Sequence, residues 1–215
     1  MGDDMEFQKN CLRLYAVTDR SWLRGGTLYE QVEQALNGGA TLIQLREKAL
    51  DTERFIAEAR QIKSLCEMYK VPFIINDNVE VALAVDADGV HVGQGDMAAS
   101  DVRKRLGTDK IIGVTARTVE QAVEAEKNGA DYLGVGAVFI TTTKGDAKEI
   151  SHSTLEEICK SVSIPVVAIG GISASNAMEL KGTGIEGIAV VSAVFASDNI
   201  ERAARELREL AEQIV

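Results

Sequence analysis

Eight short apolar runs, separated by longer segments with helical spacing, restrict the fold of this chain more than any other feature. The runs occupy 12–17, 41–45, 72–75, 89–92, 111–114, 132–135, 166–169 and 188–191. Several are apolar at every position, the pattern of parallel strands covered on both faces. Between them, 52–69 and 119–128 carry helical spacing, and 200–215 carries it most clearly. There Ile200, Ala203, Leu207, Leu210 and Ala211 recur on one face, while Glu201, Arg205, Glu206 and Arg208 take the wet face. Glycines follow several of these segments, at Gly38-Gly39, Gly129 and Gly182, where a left-handed residue can close a helix.

Eight strand-helix units in 215 residues come to about 27 residues each, which is lean but sufficient for a (β/α)8 barrel of the TIM type. No Pro-rich linker, low-complexity run or shift in composition divides the chain. The expectation is therefore one α/β barrel domain spanning 1–215, with 1–11 as a short N-terminal extension capping its bottom. A doubly wound open sheet is the alternative. It is disfavoured because no G-x-G-x-x-G follows the first run and the count of eight is complete.

Charge and special residues narrow the function. Lys and Arg number 23 against 33 Asp and Glu, a net charge of −10. Such a chain is a poor general binder of DNA, RNA or anionic membrane, although a few placed cations or a metal can still attract anionic small molecules. No apolar run approaches the roughly 18 residues of a membrane span. The acidic start, 1–6, lacks the apolar core of a secretory signal. Cys11, Cys66 and Cys159 are odd in number and far apart, which argues against a disulfide framework or zinc and for idle thiols in the cytoplasm. Two histidines, His91 and His152, are too few for a histidine-based metal cluster.

In a barrel of this kind, reactive groups sit at the C-terminal ends of the strands and in the loops beyond. The second run continues Gln44-Leu-Arg46-Glu-Lys48. Alternation turns Gln44, Arg46 and Lys48 inward, with Ile43, Leu45 and Glu47 on the other face. Inward charges are costly unless they meet an anion at the open mouth, and Arg and Lys suit phosphate oxygens. The bland reading is a solvated strand end paired to Glu47. Asn76 and Asp77 end the third run, and Asp96 follows the fourth. Two carboxylates with few other ligands suit Mg²⁺, which keeps its waters and takes substrate oxygens; the competing reading is helix capping or turn duty. His91, in an apolar strand, is expected to make a satisfied core hydrogen bond. The sixth run leads into a loop containing Thr141, Thr143 and Lys144, able to wrap phosphate. The seventh ends at Gly170-Gly171 with a helix expected after Ser173, and the eighth at Val191 and Ser192. Glycines there admit a ligand close to the backbone, and a following helix N-terminus offers N–H groups to a phosphate. Two anion sites result: one with Arg46, Lys48, Lys144 and Mg²⁺, sufficient for a pyrophosphate, and one of backbone N–H groups, suited to a monophosphate.

Tyr15-Ala-Val-Thr-Asp19, Gln44-Leu-Arg-Glu-Lys48, Phe73-Ile-Ile-Asn-Asp77 and Ala87-Asp-Gly-Val-His-Val-Gly-Gln-Gly-Asp96 resemble the thiamine-phosphate synthases. So do Ile112-Gly-Val-Thr115, Gly134-Val-Gly-Ala-Val-Phe-Ile-Thr-Thr-Thr-Lys144 and Val167-Ala-Ile-Gly-Gly171, in family order over nearly the whole chain. The resemblance implies a transferase of thiamine biosynthesis. It would join 4-amino-5-hydroxymethyl-2-methylpyrimidine diphosphate to a thiazole phosphate, or its carboxylated form, releasing pyrophosphate. It further implies that Gln44, Arg46, Lys48, Asn76, Thr115 and Lys144 hold the pyrimidine diphosphate, with Arg46, Lys48, Lys144 and Thr115 serving catalysis. Asp77 and Asp96 would hold Mg²⁺, and Thr141, Thr143, Gly171, Val191 and Ser192 the thiazole phosphate. Thr115 stands where the family usually has Ser, and Arg117 where a His is common. The expected partners are small phosphorylated substrates, with no nucleic acid and no membrane; the oligomeric state stays open, a homo-oligomer included. Two alternatives remain: a thiazole tautomerase of the same fold, disfavoured by Arg117, and a non-catalytic binder of thiamine precursors.

Overall fold

The structure is a computed structural model, and it describes residues 8–141 and 149–215. Eight parallel strands close into a barrel in sequence order: β1 (Leu14–Val17), β2 (Leu42–Leu45), β3 (Phe73–Asn76), β4 (Gly89–Val92), β5 (Ile111–Ala116), β6 (Tyr132–Val135), β7 (Val166–Ile169) and β8 (Gly187–Val190). The closing pair is β1 on β8, with Tyr15 opposite Ala189. The helices are α1 (Leu28–Asn37), α2 (Thr52–Tyr69), α3 (Val79–Ala84), α4 (Ala99–Leu106), α5 (Val119–Lys127), α6 (His152–Ser161), α7 (Ser192–Phe195) and α8 (Ile200–Ile214).

Strand alternation splits the apolar residues into two cores. Leu14, Ala16, Ile43, Leu45, Phe73 and Ile75 face outward into the helix layer. Tyr15, Val17, Leu42, Ile74, Tyr132 and Val167 fill the barrel itself. Each face belongs to one period-2 set, so a one-residue slip would exchange the two cores.

Polar residues start the helices where the sequence supplies them. Thr27 and Glu30 make a reciprocal capping box on α1, and Asp51, Asn78, Thr118, Ser151 and Asn199 each accept an N–H from the first turn of the helix they precede. Such a cap contributes about 1 kcal/mol. Gly39 and Gly129 close α1 and α5 at φ +96° and +88°, as the sequence indicates. The dry face of α8 is Ile200, Ala204, Leu207, Ala211 and Ile214. Ala203 and Leu210 lie at its margin, half-buried.

Two expected features differ. The first apolar run begins not in a strand but in a 3₁₀ turn, Lys9–Leu12, packed on β1 and β8. The helix expected after Ser173 is a single 3₁₀ turn, Ala177–Leu180. Gly182 and Gly184, both at positive φ, follow within four residues and stop the turn from continuing as a helix. α8 packs over this turn and supplies the cover the missing helix would have given.

Candidate functional site

The C-terminal ends of the strands surround one cavity. Its wall includes Gln44, Arg46, Asn76 and Thr115 on one side, and Thr141, Gly171, Val191 and Ser192 on the other. Eight of the residues singled out in the sequence thus meet around a single space. Lys48 does not join them: it lies in an adjoining hollow with Asn76, Asp77 and Met97. Thr143 and Lys144 lie outside the described residues.

Gln44 projects inward from β2, buried, and its amide donates to the Tyr15 hydroxyl. Arg46 leaves the strand end with its backbone N–H on Thr18 Oγ1 at 3.0 Å and its guanidinium on Asp19 at 3.2 Å. Its Nε is buried and finds no acceptor among the described residues. A buried unsatisfied donor is unfavourable by about 1–3 kcal/mol, so this one marks a place for a ligand oxygen. Glu47 points the other way, as alternation requires, but its ion-pair partner is neither Arg46 nor Lys48. Arg20 bonds it at 2.7 Å and also forks onto Glu58 at 2.7 Å. The backbone N–H groups of Lys48 and Ala49 donate to its other oxygen at 2.9 and 3.0 Å. Burial acts to raise the Glu47 pKa, but these bonds and the Arg20 charge outweigh it and hold the carboxyl below its ordinary value. Glu47 therefore pins the turn that carries Arg46 and Lys48.

Asp77 and Asp96 face each other. Asn78, not Asp77, caps α3, and the N-cap position of α4 is Ala98, which supplies no side-chain bond. Asp96 has one turn bond, from Gly93 N–H at 2.8 Å. Asp77 takes Lys48 Nζ at 2.5 Å and Asn76 Nδ2 at 2.6 Å on one oxygen. Burial pushes both carboxyls upward; the Lys48 bond and a bond from Asp96 nevertheless hold Asp77 low, whereas Asp77 adds to the rise at Asp96. Two carboxylates in contact need a shared proton or a cation between them. The donor set, two facing carboxylates of which Asp77 lines the hollow, fits Mg²⁺ completed by water and substrate oxygens. Among the described residues no group of three or more His, Cys, Asp or Glu could hold a metal by itself.

Charge at the mouth is more balanced than the sequence suggests. Arg46 is paired to Asp19 and Lys48 to Asp77. Arg117, which the motif comparison marked only as a departure, lines the main cavity as a further cation. Asp19, the partner that orients Arg46, was also not singled out, though it sits at the end of the Tyr15–Asp19 motif.

The glycine pair after β7 lines the cavity and also has a packing role. Gly170 and Gly171 adopt φ +101° and +67°. A Cβ on Gly171 would lie 2.8 Å from Phe139 Cβ. These glycines let the strand-seven loop nest against the loop after β6, which brings Thr141 to the cavity wall. Val191 and Ser192 enter the wall at the start of α7, whose first N–H groups have no partner within the helix. No thiol competes as a nucleophile: burial pushes all three upward, Cys159 to about 11.

Comparison with known proteins matches residues 14–194 to the family described as thiamine monophosphate synthase. A thiamine-phosphate synthase of Ruminiclostridium cellulolyticum is 55% identical over 197 residues, covering 92% of this chain and 94% of that protein. One from Clostridium acetobutylicum is 51% identical over 193 residues, covering 90% and 92%. Among solved structures, a thiamine phosphate pyrophosphorylase from Pyrococcus furiosus superposes with a TM-score of 0.89 at 43% identity, over 96% of this chain and 98% of that one.

Proposed function

The chain belongs to the thiamine monophosphate synthase family, and from that premise we propose how its barrel mouth carries out the family's reaction. The enzyme condenses 4-amino-5-hydroxymethyl-2-methylpyrimidine diphosphate with a thiazole phosphate to give thiamine phosphate and pyrophosphate. In our reading Gln44, Asn76 and Thr115 hold the pyrimidine, and Arg46, Lys48 and Lys144 its diphosphate. Thr141, Thr143, Gly171, Val191 and Ser192 hold the thiazole phosphate, and Asp77 with Asp96 hold Mg²⁺. One observation carries the assignment: residues for both substrates line the same cavity, with Asp77 in the hollow beside it.

The C–O bond between the pyrimidine methylene and the diphosphate breaks with its electron pair going to the leaving pyrophosphate. The pyrimidine amino group feeds electrons toward the methylene, and the thiazole nitrogen then donates its pair to that carbon. Bound at the carboxylate pair, Mg²⁺ would neutralise charge on the leaving oxygens. Arg46 offers its unsatisfied Nε to the same charge, held in place by Asp19. Lys48, whose ammonium lies on Asp77, would offer its charge to a phosphate oxygen beside that carboxylate. Such preorganised charge is commonly the largest catalytic contribution. No protein nucleophile is required.

Among the described residues no helix is long and apolar enough to cross a membrane, and three free thiols suit a reducing compartment, so we place the reaction in the cytoplasm. Incubating the protein with both substrates and Mg²⁺ is expected to yield thiamine phosphate, and EDTA to stop it. No product in the presence of Mg²⁺ would overturn the reading.

A further inference from the structure

A line of hydrogen bonds crosses the barrel interior from β2 to β5 through three side chains with no part in the chemistry above. Gln44 Nε2 donates to the Tyr15 hydroxyl. The Tyr15 and Tyr132 hydroxyls lie 2.8 Å apart. Tyr132 is 3.0 Å from His91 Nδ1, and His91 Nε2 is 2.9 Å from Thr115 Oγ1. Tyr15, Tyr132, Gln44 and His91 are all buried. The backbone makes room for them. A Cβ at Gly113 would overlap the Tyr132 phenol and the His91 ring, and one at Gly134 would come within 2.9 Å of His91 Cε1.

The first bond has one possible direction, whereas the hydroxyls and the imidazole beyond it can each serve either way; one polarity of the line continues the first bond. The Gln44 amide nitrogen can only donate, so Tyr15 accepts from it and, in that polarity, gives its own proton to Tyr132. Tyr132 then donates to His91 Nδ1. A neutral imidazole accepting at Nδ1 carries its proton on Nε2, and that proton goes to Thr115 Oγ1. Burial drives both phenol pKa values upward, which keeps the two hydroxyls protonated at neutral pH. Thr115 is left with its hydroxyl proton to give, and Gln44 with its carbonyl to accept, and both residues line the cavity.

We propose that Tyr15, Tyr132 and His91 are positioning residues that fix this polarity, making Gln44 the acceptor and Thr115 the donor for the pyrimidine. This rests on the reading that an aminopyrimidine occupies the cavity. Its amino group donates and its ring nitrogen accepts, the complement of that pair. A 4-oxo pyrimidine presents the reverse order and meets two mismatched ends.

Two measurements test the proposal. Nitrogen NMR of ring-labelled histidine in the ligand-free protein, with His152→Gln to identify the other signal, is expected to show His91 neutral with its proton on Nε2. Tyr132→Phe is expected to shift the Nδ1 resonance. A proton on Nδ1, or a doubly protonated ring, at neutral pH would overturn the relay. In the second arm, the 4-amino diphosphate is compared with its 4-oxo analogue. The wild-type kcat/KM ratio is expected to favour the amino compound by at least about ten-fold. Tyr132→Phe and Tyr15→Phe, each checked for a cooperative thermal transition, are expected to shrink that preference about five-fold or more. Full selectivity in a folded variant would refute the proposal, and Tyr15→Phe carries the comparison if Tyr132→Phe does not fold. Failure to form thiamine phosphate from the amino substrate would count against the assigned reaction, while the NMR result would still decide the relay.

Discussion

Replacing Arg46 by Ala should slow pyrophosphate release by roughly 30- to 1000-fold. The guanidinium sits at the barrel mouth with 19% of its side chain exposed, beside Asp19 at 16%. Two unit charges about 4 Å apart interact by about 4 kcal/mol at an effective dielectric near 20, and by about 1 kcal/mol in bulk water. A partly enclosed mouth lies toward the first value, so a contribution of about 2–4 kcal/mol to the departing diphosphate is reasonable. At about 1.4 kcal/mol per factor of ten, that gives the stated range. Part of the loss comes from leaving Asp19 without its cation and facing the phosphates. Arg46→Lys should fall between wild type and Ala, since it restores the charge without the planar fork. Asp19→Asn should cost less than Arg46→Ala, because it loosens the guanidinium without removing it. The assay is steady-state pyrophosphate release at saturating Mg²⁺, with thermal melts to establish that each variant is folded. A folded Arg46→Ala enzyme within about three-fold of wild type would refute the charge-stabilisation argument.

Four further outcomes follow from the same geometry. Asp77→Asn or Asp96→Asn should weaken Mg²⁺ binding by calorimetry about ten-fold or more, since even outer partners of a metal site have effects of that size; unchanged affinity would move the metal elsewhere. Gly171→Ala should lose about 2–4 kcal/mol of stability in urea, from left-handed backbone and the overlap with Phe139, and raise KM for the thiazole phosphate; a fully stable variant would contradict the nested loops. Lys144→Ala should lower kcat severely if that lysine meets the diphosphate, and normal turnover would remove it from the site. Glu47 is held below its ordinary pKa in the folded protein, so its contribution is present above the unfolded value near 4.3 and is lost as pH falls through the folded value. Glu47→Gln should therefore flatten the acid limb of the stability profile, and an unchanged limb would deny Glu47 that role.

The barrel was legible because its strands are buried on both faces and written in short uninterrupted apolar runs. The runs 89–92, 132–135 and 166–169 coincide with β4, β6 and β7, and 52–69 with α2. Periodicity failed where tertiary packing decides: Leu12 is as apolar as a strand residue but turns under β1, and the segment after Ser173 makes only a 3₁₀ turn, which α8 covers. Most of the cavity wall was legible too, since alternation along β2 separates Gln44 and Arg46 from Ile43 and Leu45. Ion pairing was not. Nothing in sequence order links Arg20 to Glu47, or Lys48 to Asp77. The line from Tyr15 to Thr115 was hidden because both tyrosines read as apolar strand residues. Gly113 and Gly134 were its signal, as inward positions of neighbouring strands left empty for the rings of Tyr132 and His91.

A crystal structure of the enzyme grown with Mg²⁺, pyrophosphate and thiamine phosphate would test the central assignment most directly. We predict the metal between Asp77 and Asp96, pyrophosphate against Arg46 and Lys48, and the thiazole phosphate among Thr141, Gly171 and Ser192. A metal bound away from the two aspartates, or a phosphate order reversed across the cavity, would contradict the account.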